Sequence, residues 1–153
     1  MTDPLPRPAP GYDEDYYAWS QAHLAAMRAR DAEAMDWGPP IEQFEDLGNS
    51  DPRQIESCLD VLLLHLLKWA YQPAPRKGGW QATIIEQRTR ILRVLRRSPS
   101  LRSYPAEILA EEYALARPLA AAETGLPLGT FPEACPFAVE DVLREDWLPD
   151  AAT

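Results

Sequence analysis

Apolar side chains recur every three or four positions along most of this chain, the spacing of a helix with one buried stripe, and they nowhere alternate over the length of a strand. The strongest run is Ile55, Cys58 with Leu59, Leu62 with Leu63, Leu66, and Trp69 with Ala70. It predicts a core helix with a wide buried face. Ser50-Asp51-Pro52 offers an N-cap residue followed by proline at a first helical position, and Pro73 and Pro75 stop the run. Upstream, Tyr16, Trp19, His23 and Met27 share one helical face behind Asp13-Glu14-Asp15, whose carboxylates suit the positive end of a helix dipole. Met35 to Pro40 is expected to end that helix. Pro39 and Pro40 then suit the first turn of a separate short helix through Leu47, stopped by Gly48.

Downstream, Arg76-Lys77-Gly78-Gly79 reads as a mobile basic loop, and Trp80, Ile84, Ile91 and Leu95 form the inner stripe of a helix ending near Arg97. Ser98-Pro99-Ser100 makes a turn, because the residue before a proline is pushed out of the helical region. Another helix should run from Pro105 to Thr124, bent at Pro118 and capped by Gly125. Prolines and glycines are too dense between Leu126 and Pro136 for regular structure. That segment is expected to lie on the helices as a strap, through Leu126, Leu128, Phe131 and Phe137, before a last short helix from about Val139 to Trp147. The expected fold is all-α: a mainly antiparallel up-and-down bundle of four longer helices and one or two short ones. A flexible Pro-rich arm (1–11) would precede a single domain (12–149) and a short tail (150–153).

Composition narrows the class. At 153 residues the chain fits one domain, and 46% apolar with 25% charged residues is too apolar for wholesale disorder. A net charge of −9 argues against the whole protein being a nonspecific DNA binder. Met1 to Gly11 has four prolines and no apolar run, so it does not read as a secretory signal. The most apolar stretch, Val61 to Leu67, contains His65 and is far shorter than the roughly 20 residues that span a membrane. Cys58 falls on the apolar stripe as a buried structural thiol, and with only Cys135 besides it nothing calls for an oxidising compartment. A cytoplasmic setting is expected, with no membrane partner.

Several segments together resemble one known family. They are Tyr12-Asp13-Glu14-Asp15-Tyr16-Tyr17-Ala18-Trp19, the acidic Glu42 to Gly48, His65-Leu66-Leu67-Lys68-Trp69 with Gln72-Pro73, and Trp80 with Thr83-Ile84 and Gln87-Arg88. Ser98-Pro99-Ser100-Leu101, Glu123 to Pro127, Phe131-Pro132 and Cys135-Pro136-Phe137 complete the set. From about residue 12 to 149 the chain is similar to the bacterial "domain of unknown function 29" family. The resemblance implies a bacterial, cytoplasmic helical bundle and implies no catalytic residues. One departure is Ala138, where the resemblance leads one to expect a Ser or Thr capping the last helix.

Two constellations carry candidate chemistry. Glu42 and Glu45 share a helical face, and His65 sits among leucines, where an unpartnered imidazole is costly. If their helices were antiparallel neighbours, these three groups would converge on a metal, as in an enzyme or sensor. The alternative is a polar network in which Glu42 and Glu45 pair with Lys68 or Arg88. The Glu-x-x-His pairs of di-iron bundles are absent, His23 and His65 are too few for an ordinary catalytic zinc site, and no metal or other cofactor is expected.

The second constellation is electrostatic. Residues 76–102 hold eight basic side chains against Glu86 alone, a balance of +7, whereas 1–75 and 103–153 are each −8. Arg90, Arg93 and Arg97 share a face, and Arg76 and Lys77 stand beside it. Such a surface suits an acidic protein, a second copy of the chain, or nucleic-acid phosphates, the last disfavoured because no aromatic residues interleave with the arginines. The competing reading is neutralisation by Glu133, Glu140, Asp141, Glu145, Asp146 and Asp150. The aromatic set Tyr12, Tyr16, Tyr17, Trp19, Trp37, Trp69 and Trp80 reads as core. The sequence therefore favours a non-enzymatic interaction or regulatory module, self-associating and using the basic helix, over a nucleic-acid-associated protein or a metal-binding enzyme.

Overall fold

The computed structural model describes residues 10–74, 76 and 78–152. Most of the expected N-terminal arm, together with Lys77, lies outside them. Every regular element among the described residues is helical: α1 (Tyr16–Ala29), α2 (Gly38–Tyr71), α3 (Gly78–Arg97), α4 (Tyr104–Thr124) and the short α5 (Val139–Leu143). The chain divides into two compact units, Met1–Gly48 and Asn49–Thr153. No helix among the described residues is long and apolar enough to cross a membrane.

In the first unit α1 begins where the acidic triplet predicts. The Asp15 carboxylate accepts a hydrogen bond from the Ala18 amide at 2.9 Å, which satisfies one of the open donors of the first turn. The helix is shorter than the periodicity implies. It ends at Ala29 because Arg30 adopts a left-handed conformation (φ 57°), and the Asp31 amide folds back to the Ala26 carbonyl at 3.0 Å. Its inner face is Trp19, His23 and Ala26, with Tyr12 edge-on to Trp19 at 4.9 Å, while Tyr16 and Met27 of the expected stripe are exposed. His23 is fully used: Nδ1 lies 3.0 Å from the Trp19 carbonyl and Nε2 accepts the Asp36 amide at 3.0 Å. With both ring nitrogens engaged, the imidazole works as a structural clasp between α1 and the chain at Asp36.

The largest departure from expectation is α2. Two helices with a break at Gly48–Pro52 were predicted, but one helix runs from Gly38 to Tyr71 with Pro52 inside it. Pro52 removes a single ladder donor, and its fixed φ suits a helix, so the chain passes through at the loss of about one hydrogen bond and some ring crowding. Gly48 keeps an ordinary negative φ and does not act as a left-handed stop. The division into units still falls at this point, between Gly48 and Asn49.

The second unit is an up-and-down bundle built on the Ile55–Trp69 stripe. Ile55, Leu59, Leu62, Leu63, Leu66 and Leu67 are buried completely, together with Ile84 and Ile91 of α3 and Ala116 and Ala120 of α4. Contacts at both ends give the directions. The Asp51 carboxylate is held by Arg97 and Ser98, and Lys68 lies over the Trp80 ring at 4.8 Å, so α3 runs antiparallel to α2. Tyr104 donates to Glu56, and Gln72 Nε2 donates to the Thr124 carbonyl at 3.0 Å, so α4 returns parallel to α2. Gly125 ends α4 at φ 71°, its amide bonded to the Ala121 carbonyl at 2.9 Å. The strap seals the open side with Phe131, which packs against Tyr71 at 5.0 Å. Leu126 and Phe137 are partly buried on the core, whereas Leu128 is exposed.

Candidate functional site

The polar cluster read from the sequence does not assemble as expected. Glu42 and Glu45 are exposed, and they lie on the same helix as His65, so the pair of antiparallel helices that would bring them together does not exist. His65 is half-buried with Nδ1 2.9 Å from the Val61 carbonyl, one turn back on its own helix. Among the described residues no group of three or more His, Cys, Asp or Glu is placed to hold a metal. Lys68 takes Glu123 of α4 as its partner, with the Trp80 ring below, rather than Glu42 or Glu45.

Arg88 serves the C-terminal segment around α5 instead of a carboxylate. It sits on the inner stripe of α3 between Ile84 and Ile91 and is 2% exposed. Its Nε donates to the Val142 carbonyl at 2.7 Å and its Nη1 to the Glu145 carbonyl at 3.3 Å. The Val142 oxygen belongs to the open end of α5 and the Glu145 oxygen to the chain just beyond it, and the other end of α5 is uncapped by Ala138. A buried guanidinium therefore satisfies the carbonyls of a helix too short to hold itself. Nη2 is buried without a partner, and burial, reinforced by the charge of Arg144 and opposed by Asp146, pulls the Arg88 pKa down.

A carboxyl group not singled out from the sequence is buried between α2 and α4. Pro105, Ile108, Glu112, Ala116 and Ala120 line the inward face of α4, and that register alone would have identified Glu112. Burial raises the Glu112 pKa, and the charges of Asp60, Glu56 and Glu111 raise it further. Asp60, across on α2, is also raised by burial, and its buried Oδ1 has no hydrogen-bond partner among the described residues. The Tyr104 phenol, bonded to Glu56, is pushed up to about 12. Tyr113, held up to about 12 chiefly by burial, donates to the Pro132 carbonyl at 2.6 Å and pins the strap.

The basic surface divides between used and open groups. Arg76 is drawn inward: its Nε donates to the Trp69 carbonyl at 3.0 Å and its guanidinium stacks 4.6 Å from the Trp69 ring. On α3, Arg90 pairs with Glu86 at 2.6 Å and Arg97 with Asp51. Two of the acidic C-terminal residues are engaged within their own segment, where Arg144 binds Asp141 at 3.2 Å and Asp146 at 3.5 Å. Arg93 and Arg96 are exposed and make no ion pair among the described residues. Arg90, Arg93, Arg96 and Arg97 thus form an exposed row of guanidiniums over two turns.

A second surface lies in the first unit. Every side chain from Ile41 to Ser50 is exposed, including Ile41, Phe44 and Leu47 at one-turn spacing. Beside them α1 and the start of α2 enclose a groove of about 350 Å³, walled by Tyr16, Leu24, Met27, Pro40, Gln43 and Phe44. The aromatic set expected to be core therefore splits: Trp19 is buried, whereas Tyr16, Tyr17 and Trp37 are exposed.

Residues 12–148 match the family model described as Domain of unknown function DUF29. No curated protein matches the chain. No solved structure matches it either. The family model spans every helix of both units, and the chain belongs to the DUF29 family.

Proposed function

We propose that this DUF29 protein is a non-enzymatic protein-interaction module that presents the arginine face of α3 to an acidic protein surface. The observation that carries this reading is the pair Arg93 and Arg96, exposed and without an ion pair among the described residues, between Arg90 and Arg97. Guanidiniums held on a rigid helix lose little freedom when they engage carboxylates in forked geometry, which favours arginine over lysine for such a surface. An acidic protein is preferred to nucleic acid for two reasons. The remainder of the chain is strongly acidic, so phosphate backbones are repelled everywhere except at this face. The row also lacks the interleaved aromatic side chains on which bases stack.

The test uses fluorescence anisotropy with labelled poly-glutamate, a single-stranded oligonucleotide and a duplex as probes against the full chain. Poly-glutamate should bind at low salt and weaken steadily as salt rises. Arg93→Glu with Arg96→Glu should reduce that binding about tenfold or more, since each reversal replaces an attraction by a repulsion. Tighter binding of either oligonucleotide than of poly-glutamate would move the assignment to nucleic acid. Poly-glutamate binding that ignores the double reversal would remove α3 from the function.

A further inference from the structure

The two open arginines of α3 end a longer stripe. Ile85, Thr89, Arg93 and Arg96 follow one another at four, four and three residues, the spacing that keeps side chains on one face of a helix, and all four are exposed. Leu92, half-buried, runs along the edge of that stripe. Glu86, the only Asp or Glu in α3, stands on the flank and is held by Arg90 at 2.6 Å. A single exposed isoleucine is ordinary on a protein surface, and Ile85, 52% exposed, would mean nothing by itself. The recess beside it sets it apart.

Ile85, Arg88, Thr89 and Glu145 line a recess of about 160 Å³. An apolar cavity of about 150 Å³ holds a benzene ring, so this recess has room for one aliphatic or aromatic side chain. Its charges select against an ion. Arg88 lies in the wall with its guanidinium turned to the Val142 and Glu145 carbonyls, and the Glu145 side chain brings the opposite sign to the same wall. A charged group entering would give up its water and meet one like charge for every opposite one. Beyond Thr89 the surface changes character. At a rise of about 1.5 Å per residue, Arg93 and Arg96 stand about 6 and 10 Å further along the helix. Neither makes an ion pair among the described residues.

We infer that the recess beside Ile85 is the anchor of the α3 docking surface, and that its partner is an acidic helical segment with one large apolar side chain and carboxylates one and two turns from it. The apolar side chain seats against Ile85 while the carboxylates reach Arg93 and Arg96. A helix laid along α3 matches the one-turn spacing of this stripe, and a desolvated apolar anchor supplies affinity where exposed charges mainly steer encounter. The inference rests on the reading of α3 as an interaction surface, and adds a requirement that a purely electrostatic surface lacks.

Fluorescence anisotropy of the full chain with two labelled, alanine-rich helical peptides tests it. Both carry glutamates one and two turns to either side of a central residue, which is leucine in one and serine in the other. Glutamates on both sides serve either direction of docking. The leucine peptide should bind the wild type about tenfold tighter than the serine peptide, the gain from burying one leucine side chain. Ile85→Ser should abolish that advantage by weakening the leucine peptide alone. Its circular dichroism should match that of the wild type, because the position is exposed. Arg93→Glu with Arg96→Glu should weaken both peptides about tenfold or more. Equal binding of the two peptides to the wild type overturns the inference, and poly-glutamate that still binds and still responds to the double reversal would then leave the arginine face standing without an anchor. A leucine advantage that persists in Ile85→Ser overturns it as well, by placing the anchor elsewhere. Failure of both peptides and of poly-glutamate to bind at low salt removes the arginine face itself.

Discussion

Among single residues, Glu112 and Arg88 show opposite ways of burying charge. Arg88 is anchored by the carbonyl oxygens of Val142 and Glu145, whereas Glu112 is buried within reach of the charges of Asp60, Glu56 and Glu111 and gains proton affinity on folding. Because the folded state holds that proton more tightly, it binds more protons than the unfolded chain, and stability falls as pH rises from the ordinary carboxylate range through the raised folded pKa. Glu112→Gln removes the ionisation without removing the shape. The variant should unfold at a higher temperature than the wild type at pH 7, and the difference should shrink towards pH 4. Thermal unfolding at a series of pH values checks both. Glu112 could have been read from the inward register of α4, but its neighbours could not: Asp60 and Glu56 lie about fifty residues earlier in the chain, and only packing brings them opposite.

Among the elements, α2 is where local signals and the final structure disagree most. Gly48, Ser50, Asp51 and Pro52 are ordinary stop and start residues, and each is weighed locally in a sequence reading. The helix nevertheless passes through them, since Ile55 onward is fixed by the core and Asp51 is held by Arg97 and Ser98 of the neighbouring helix end. A Cβ at Gly48 would meet no atom within 4 Å, and the residue has no positive φ. Gly48→Ala should therefore stabilise the protein by about 0.5–1 kcal/mol, the helix-propensity difference, as measured by urea denaturation. A destabilisation of similar size would mean that Gly48 ends a helix after all. The shorter elements were more legible. Asp15, Gly125 and the uncapped Ala138 behave as their chemistry predicts, because each acts through hydrogen bonds within a few residues.

At the scale of the whole molecule, the core belongs to the second unit, where α2, α3 and α4 contribute complete stripes and the strap closes the remaining side. A chain covering residues 49–153 would begin with Asn49-Ser50-Asp51-Pro52, which supplies its own N-cap and proline first turn. That fragment is expected to be helical by circular dichroism and to unfold cooperatively. A non-cooperative, molten fragment would show that the bundle needs residues 1–48. The charge segregation also belongs to this scale. The middle of the chain is basic and its flanks acidic, yet Asp141 and Asp146 of the C-terminal acids serve Arg144, and Arg93 and Arg96 of α3 make no ion pair among the described residues.

The sequence by itself determined the helical class, the inner stripe of the core helix through Ile55 and Leu66, the Gly125 stop of α4 and the strap, because periodicity and turn chemistry are local properties of the chain. It also located the basic helix, since charge is additive along a sequence. Only the tertiary structure decided which charges are spent and which remain. Lys68 went to Glu123, Arg88 to the carbonyls of Val142 and Glu145, and Arg76 to Trp69, through contacts between residues up to 57 apart. It also decided that Glu42, Glu45 and His65 share one helix, and that Phe44 and Leu47 face outward. Burial depends on what packs opposite a side chain, and a one-dimensional pattern records only the spacing of that side chain from its own neighbours.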